Sequence, residues 1–212
     1  MSGYEELLDY RRRVAEMYAR ARSSERNEEA RLAEFRRERD DLFRHHPQSP
    51  LPEEDSAEFG GLDYYPHDPA LRYTLAVEYE KEPETLELNL SEDGAVRLSK
   101  FGRVRFPLGR DGATEASLSL FWVGGYGGGL LLPFRDATSG HGSYGGGRYV
   151  LDTIKHADLG SEDGRIVVDF NYAYNPSCAY NPRWDCPLPP PENHLPEPVR
   201  AGEKAYEARG GI

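Results

Sequence analysis

Residues 85–98 read TLELNLSEDGAVRL. Leu86, Leu88 and Leu90 alternate with Thr85, Glu87 and Asn89, and after Ser-Glu-Asp-Gly the apolar residues resume as Val96 and Leu98 around Arg97. Such alternation describes a half-buried strand, and Asp-Gly between two such runs is a hairpin-turn signal. The same tetrapeptide recurs at 161–164, again between apolar runs. Working outward, Tyr73, Leu75, Val77 and Tyr79 alternate with Arg72, Thr74, Ala76 and Glu78. Val104, Phe106 and Leu108 alternate with Arg103 and Arg105, and Leu118, Leu120 and Trp122 with Ser117, Ser119 and Phe121. Further strands are predicted at 130–134, 148–152 and 165–171. Short loops between successive strands imply antiparallel pairing, and seven or more such strands predict a barrel or a sandwich.

The first 46 residues have a different period. Leu7, Tyr10, Val14, Met17, Tyr18 and Ala21, then Leu32, Phe35, Leu42 and Phe43, recur at spacings of three and four, one apolar stripe of a helix. Ser23, Ser24 and Asn27 interrupt it and are candidate caps for a second helix with Glu28 and Glu29 in its first turn. The helical segment ends at His46-Pro47, where proline forbids continuation. The stripe is shorter than the sustained heptads of a coiled coil, which favours packing on the chain's own sheet over a partner-binding role. Residues 176–198 hold 8 of the 16 prolines, with Tyr180, Trp184, Leu188 and Leu195 spaced among them. That pattern predicts an ordered strap across the β body. The expected class is therefore α+β, mainly β: N-terminal amphipathic helices, an antiparallel barrel or sandwich, and a Pro-rich C-terminal strap. The expected organisation is a helical segment over 1–46, a β domain over 47–203 and a tail over 204–212.

Composition narrows the function. The 212 residues carry 37 acids against 26 bases, a net charge of −11. The helical segment is neutral, so the excess lies in the β body. An acidic surface repels phosphate backbones, which argues against nucleic-acid binding. Two cysteines cannot build a disulfide-dense scaffold. The N-terminus lacks an apolar core of signal-peptide length. The longest uncharged stretch, 116–134, has the length of a membrane span. Its five glycines and Pro133 fit a strand–loop–strand hairpin better. These features predict a cytoplasmic protein with reduced thiols and no membrane partner.

Three stretches are candidates for chemistry. In Thr138-Ser-Gly-His-Gly-Ser-Tyr-Gly-Gly-Gly-Arg148, glycines 140, 142 and 145 match a dinucleotide fingerprint in form, but a strand follows where a helix is needed. A phosphate loop would need Gly-Lys-Ser/Thr, and Gly147 is followed by Arg148-Tyr149. What remains is an anion cradle of backbone N–H groups beside Arg148, or glycines that simply allow a tight turn and a close strand crossing. In Asp169-Phe-Asn-Tyr-Ala-Tyr-Asn175, strand geometry puts Asp169 and Asn171 on the face opposite Ile166, Val168 and Phe170. They then line a pocket or hydrogen-bond the strap. Third, Cys178 and Cys186 are buried thiols, a low-odds pair of metal ligands, or a disulfide worth about 2.5 kcal/mol in the chain-entropy model. The six histidines show no ligand spacing; His45-His46 reads as a helix end.

Several of these stretches, with others, carry a resemblance. Phe134-Arg-Asp-Ala-Thr-Ser-Gly140, Tyr144-Gly-Gly-Gly-Arg-Tyr149, Asp169-Phe-Asn, Ala173-Tyr-Asn-Pro176, Cys178-Ala-Tyr, Cys186-Pro, Pro189-Pro-Pro-Glu-Asn193 and Ala201-Gly-Glu203, with the earlier Ser49-Pro-Leu51 and Phe59-Gly-Gly-Leu62, together resemble the bacterial and archaeal family of domain of unknown function 1684. The resemblance spans most of the chain. It implies a helical N-terminus before a mostly β body, and it implies no reaction. The glycine loop at 124–129 departs from the family pattern and reads as a variable loop.

Three functions follow as expectations. The first is a binding domain in which Asp136, Thr138, Ser139, Tyr144, Arg148, Asp169, Asn171, Asn175, Glu192 and Asn193 line a polar pocket for a small anionic ligand under the strap. The second is a hydrolase-like enzyme, metal- or thiol-dependent, using Cys178 or Cys186 with Asp169 or Glu192 as proton carrier. The third is an assembly protein that oligomerises through its N-terminal helices. No catalytic motif and no cofactor can be named from the residues.

Overall fold

The structure, a computed structural model, describes residues 3–23, 27–90, 94–109 and 112–207, with the Asn89 side chain left aside. Two helices come first, α1 (Gly3–Ser23) and α2 (Glu28–His45). Asn27 caps α2, its side chain accepting from the Ala30 N–H at 2.8 Å, with Glu28 and Glu29 in the first turn. Of the other candidate caps, Ser23 closes α1 with its hydroxyl on the Ala19 carbonyl and Ser24 lies outside the described residues. After a short helix α3 (Glu53–Ser56), the chain runs through β1 (Arg72–Leu75), β2 (Glu78–Leu90), β3 (Gly94–Leu108), β4 (Thr114–Val123), β5 (Gly129–Phe134), β6 (Arg148–Asp152), β7 (Ser161–Glu162) and β8 (Arg165–Asp169).

These strands form two antiparallel sheets, β2-β3-β4-β5-β6 and β1-β8-β7. The uncharged stretch 116–134 is the β4–β5 hairpin, paired from Phe121↔Leu131 to Val123↔Gly129. The second Ser-Glu-Asp-Gly turns β7 into β8, with φ of 50° at Asp163 and 74° at Gly164, the left-handed pair that a two-residue hairpin turn needs. The first copy joins β2 to β3, which pair from Leu90↔Gly94 upward; its residues 91–93 lie outside the described residues.

The barrel expectation is corrected. Among the described residues the five-stranded sheet stays open, with β2 at one edge and β6 at the other. The β2 edge carries Lys81 and Pro83 inside a register shift between Tyr79 and Glu84. Proline has no N–H to offer a neighbouring strand, and a bulge turns the edge away from closure.

A second irregularity decides which side chains are buried. Lys100 pairs with Phe121 and Gly102 with Leu120, so Phe101 is an extra residue in β3. One inserted residue swaps the two faces of a strand. Before the bulge, Leu98 joins a core cluster with Phe121, Leu131, Tyr149, Val14, Met17, Tyr18, Leu32 and Phe35. After it, Val104, Phe106 and Leu108 join Leu118, Leu120, Phe134, Val168 and Phe170, a cluster that draws on both sheets. The five-stranded sheet thus meets the helices on one face and the smaller sheet on the other. Alternation predicted Trp122 inward with Leu118 and Leu120; instead Phe121 is 0% exposed and Trp122 47%. The helical stripe from Val14 to Leu42 packs on the chain's own sheet, Phe43 packs with Leu51, Phe59, Leu62 and Tyr180, and Leu7 and Leu8 remain exposed. No helix among the described residues is long and apolar enough to cross a membrane.

Burial on both faces of β4 gives a direct test. Phe121→Ala is expected to cost about 3–5 kcal/mol, the range for an aromatic deleted from a packed core. Trp122→Ala is expected to cost under about 1 kcal/mol, as for a partly exposed side chain. Denaturant midpoints of the two variants check the order.

Candidate functional site

The residues after β5 turn sharply, and Asp136 organises the turn. One carboxylate oxygen accepts from the Thr138 N–H (3.1 Å), the Thr138 hydroxyl (2.8 Å) and the Val199 N–H (2.7 Å). The other accepts from Arg148 Nη2 at 3.1 Å, and the Ser139 hydroxyl lies 3.5 Å away. Thr138 is also hydrogen-bonded to the hydroxyl of Ser143 at 2.8 Å.

Arg148 enters from β6 and is 0% exposed. Its Nη1 donates to the carbonyls of Ala201 and of Glu203, the latter at 3.1 Å, and its Nη2 donates to the Val199 carbonyl at 2.8 Å. Carbonyls of alternate residues in an extended segment point the same way, so residues 199, 201 and 203 present three acceptors to one guanidinium. Burial pulls the Arg148 pKa down, and the neighbouring Asp136 opposes that pull. Gly147, with φ of 94°, precedes it. A Cβ there would lie 2.6 Å from the Phe134 carbonyl and 2.8 Å from Pro189, so the glycine allows the strap to cross closely.

The remaining expected residues are satisfied in separate places. Asn171 reads the backbone of Asp68 in both directions, Nδ2 to O at 2.8 Å and N to Oδ1 at 2.9 Å. Asp169 caps the turn that follows β8 by accepting from the Asn171 N–H and side-chain amide, at 2.9 and 2.8 Å. Burial raises the Asp169 pKa, against those two hydrogen bonds. The strand expected over 165–171 ends at Asp169, so the alternation that put Asn171 on one face no longer applies. Asn193 does to Ser119 what Asn171 does to Asp68, and adds a 2.7 Å bond to the Pro133 carbonyl. Asn175 donates from Nδ2 to the Lys204 carbonyl at 2.8 Å. Glu192 sits 3.7 Å from Lys100 on the exposed side.

The arrangement thus unites Asp136, Thr138, Ser139 and Arg148, reaches Asn175 through the 203–204 segment, and leaves Asp169–Asn171, Asn193 and Glu192 apart. Sequence reading missed Glu203, whose buried carboxylate accepts from Arg39 Nε (2.5 Å), the Asn175 N–H (2.8 Å) and the Tyr180 hydroxyl (2.5 Å). A signal for Arg39 was present: it falls between Phe35 and Leu42 at the spacing of the α2 apolar stripe, where a solvated arginine has no place.

Tyr144 belongs to a different neighbourhood. Its hydroxyl donates to Cys178 Sγ at 3.7 Å, and the Cys178 N–H donates to Cys186 Sγ at 3.4 Å. Both cysteines are free and half-buried, rather than fully buried as their packing role alone would have it. Hydrogen bonding from Cys178 is the main cause that brings the Cys186 thiol down to about 6; the Cys178 and Ser177 N–H groups and Lys155 add to it against the cost of burial. Cys178 moves the opposite way, chiefly because its proton is held by Cys186. The Tyr144 hydroxyl is pushed up to about 12, first by burial and then by Cys178. Among the described residues no group of three or more His, Cys, Asp or Glu is placed to hold a metal ion. Asp169 and Glu192 make no hydrogen bond to either thiol among the described residues.

An open two-sheet β body with a helical pair on one face and a pinned C-terminal strap defines the class. The family model described as "Protein of unknown function (DUF1684)" matches residues 57–204, and the chain belongs to that family. The match begins after Ser49-Pro-Leu51 and takes in both sheets, the glycine stretch and the strap. A solved structure is also similar: the solution NMR structure of the uncharacterized protein from gene locus rrnAC0354 of Haloarcula marismortui. It is 38% identical, with 83% of this chain and 93% of that one covered and a TM-score of 0.59. A search of curated proteins gives no match.

Arg148→Leu leaves Asp136 buried without its cation and three strap carbonyls without a donor. The expected loss of stability is about 3–5 kcal/mol, as for breaking a buried pair from one side. Adding Asp136→Asn to that variant is expected to recover part of the loss, read as the coupling in a double-mutant cycle of denaturant unfolding.

Proposed function

We propose that this protein is a thiol redox protein whose working group is the Cys178–Cys186 pair, and that the buried polar cluster serves to hold the strap carrying both sulfurs. The observation that carries this reading is the contact between the two cysteines, the Cys178 N–H donating to Cys186 Sγ at 3.4 Å. A thiolate stabilised by N–H groups and a neighbouring cation is the reactive form of cysteine. A second thiol in contact turns it into a two-electron dithiol/disulfide couple. A cytoplasmic location, which the composition favours, keeps the resting state reduced.

The anion-binding reading has less support, because all four hydrogen bonds of Arg148 go to Asp136 and to strap carbonyls. A hydrolase-like use of the thiols has less too, since Asp169 is engaged by Asn171 and Glu192 by Lys100. Within the scaffold, the core shared by the two sheets supports an open sandwich.

Two measurements test the redox reading. Treating the reduced full chain with diamide, a general thiol oxidant, is expected to yield an intramolecular disulfide: a monomer lighter by two hydrogens, reversed by dithiothreitol and absent in Cys178→Ser. Alkylation of Cys186 is expected to accelerate as pH rises through about 6, because the thiolate is the nucleophile, and to level off by neutral pH. Cys178→Ala removes the largest stabiliser of that thiolate and is expected to move the midpoint upward. A Cys186 midpoint in the ordinary thiol range, about 8.5, with no disulfide under diamide, would sink the reading.

A further inference from the structure

Resting on the dithiol reading, we infer that the natural oxidant of this pair is a small neutral hydroperoxide, with Cys186 as the attacking sulfur and Cys178 as the resolving one. The two sulfurs are not equivalent. Cys186 Sγ accepts the Cys178 N–H at 3.4 Å, and its thiol is drawn down chiefly by Cys178, with Lys155 and the Ser177 N–H adding to the effect. The sulfur of Cys178 has the Tyr144 hydroxyl at 3.7 Å, and its thiol is pushed up, chiefly by Cys186. A backbone N–H directed at the Cys186 sulfur favours the thiolate there, which assigns it the attack.

Access and charge select the oxidant. Both thiols are half-buried, and the residue after Cys186 is fixed, since the Pro187 carbonyl accepts from the buried Tyr149 hydroxyl at 2.6 Å. From the packed elements Tyr144 donates to Cys178 Sγ, Tyr149 donates to the Pro187 carbonyl beside Cys186, and the charge of Lys155 acts on Cys186. A half-buried sulfur on a pinned segment suits an oxidant of two or three heavy atoms better than the disulfide of another protein. The net charge of −11 disfavours anionic oxidants such as disulfides of acidic thiols and leaves a neutral peroxide unaffected.

The chemistry closes on the residues present. The Cys186 thiolate attacks one peroxide oxygen, the O–O bond breaks, and the leaving oxygen takes the proton of the Cys178 thiol, giving Cys186 sulfenic acid and water (or an alcohol from an alkyl hydroperoxide). Cys178, now a thiolate, attacks the Cys186 sulfur; the S–O bond breaks and the departing hydroxide is protonated from solvent, replacing the proton Cys186 lost when it ionised. In total two thiols and hydrogen peroxide give one disulfide and two waters. The two sulfurs are oxidised and both peroxide oxygens are reduced. An external thiol would return the pair to the dithiol by exchange.

The test uses the reduced full chain and one equivalent of hydrogen peroxide at neutral pH, read by intact mass and by dimedone, which traps sulfenic acid. The wild type is expected to close its disulfide at least about tenfold faster than peroxide consumes free cysteine, in keeping with a thiolate already formed at that pH. Cys178→Ser is expected to accumulate a dimedone adduct at Cys186, and Cys186→Ser to give none at Cys178 over the same time. A disulfide that forms with diamide but no faster with peroxide than free cysteine reacts would overturn the peroxide assignment and leave the redox couple standing. No disulfide with either reagent would overturn both. Adduct on Cys178 in Cys186→Ser at the rate seen for Cys186 would reverse the roles.

Discussion

A single guanidinium holds the C-terminal third of this chain in place. Arg148 sits wholly out of water on β6, facing the Asp136 carboxylate and the carbonyls of three alternating strap residues. Moving an arginine out of water is unfavourable unless its donors are met. Here the acceptors come from residues 199–203, which directly follow the Pro-rich segment and have no sheet ladder of their own. The strap end supplies acceptors for both terminal nitrogens, with Nε left unpaired among the described residues, and the arginine gives the strap a fixed path. Glu203, at the end of that path, repeats the logic with Arg39 of α2, so the last described turns of the chain tie the strap to the helices as well.

This pinning is what brings the thiols together. Cys178 and Cys186 lie in a segment with no strand and only short 3-10 turns, so nothing in regular secondary structure fixes their distance. Asn175 before Cys178, the Pro187 carbonyl after Cys186 and Asn193 further on are each anchored to the body by hydrogen bonds. A nine-residue loop held at both ends keeps the Cys178 N–H on the Cys186 sulfur without a covalent link. The family match covers this whole arrangement and stops one residue past Glu203.

Much of the fold was legible. The Asp-Gly hairpin at 161–164, the Asn27 cap and the stop at His46-Pro47 rest on local chemistry, where the residue's own side chain or φ preference decides the backbone. The inward and outward faces of β3 and β4 were legible only in part. The extra residue at Phe101 reverses the alternation, and its neighbour Gly102 lies where a Cβ would meet the Glu78 carbonyl at 2.8 Å, a crowding set by the adjacent strand. For the site, the unusual residues were visible as types, an arginine among glycines and amides beside valines, but their partners were not. Arg148, Asn171, Asn175 and Asn193 turn out to bind main-chain atoms, and main-chain acceptors leave no mark in a sequence.

The sequence by itself determined the elements and the family: alternation at period two, stripes at three and four, turn and cap residues, and motifs spread over most of the chain. Those are properties of neighbours within a few positions, where covalent geometry and side-chain size act directly. Only the tertiary structure decided that the five-stranded sheet stays open, that Phe121 is buried while Trp122 is exposed, and that the polar motifs hold a strap. It alone set the Cys178 N–H 3.4 Å from Cys186 Sγ, because that contact depends on where bonds to distant backbone leave a chain segment with no periodic structure.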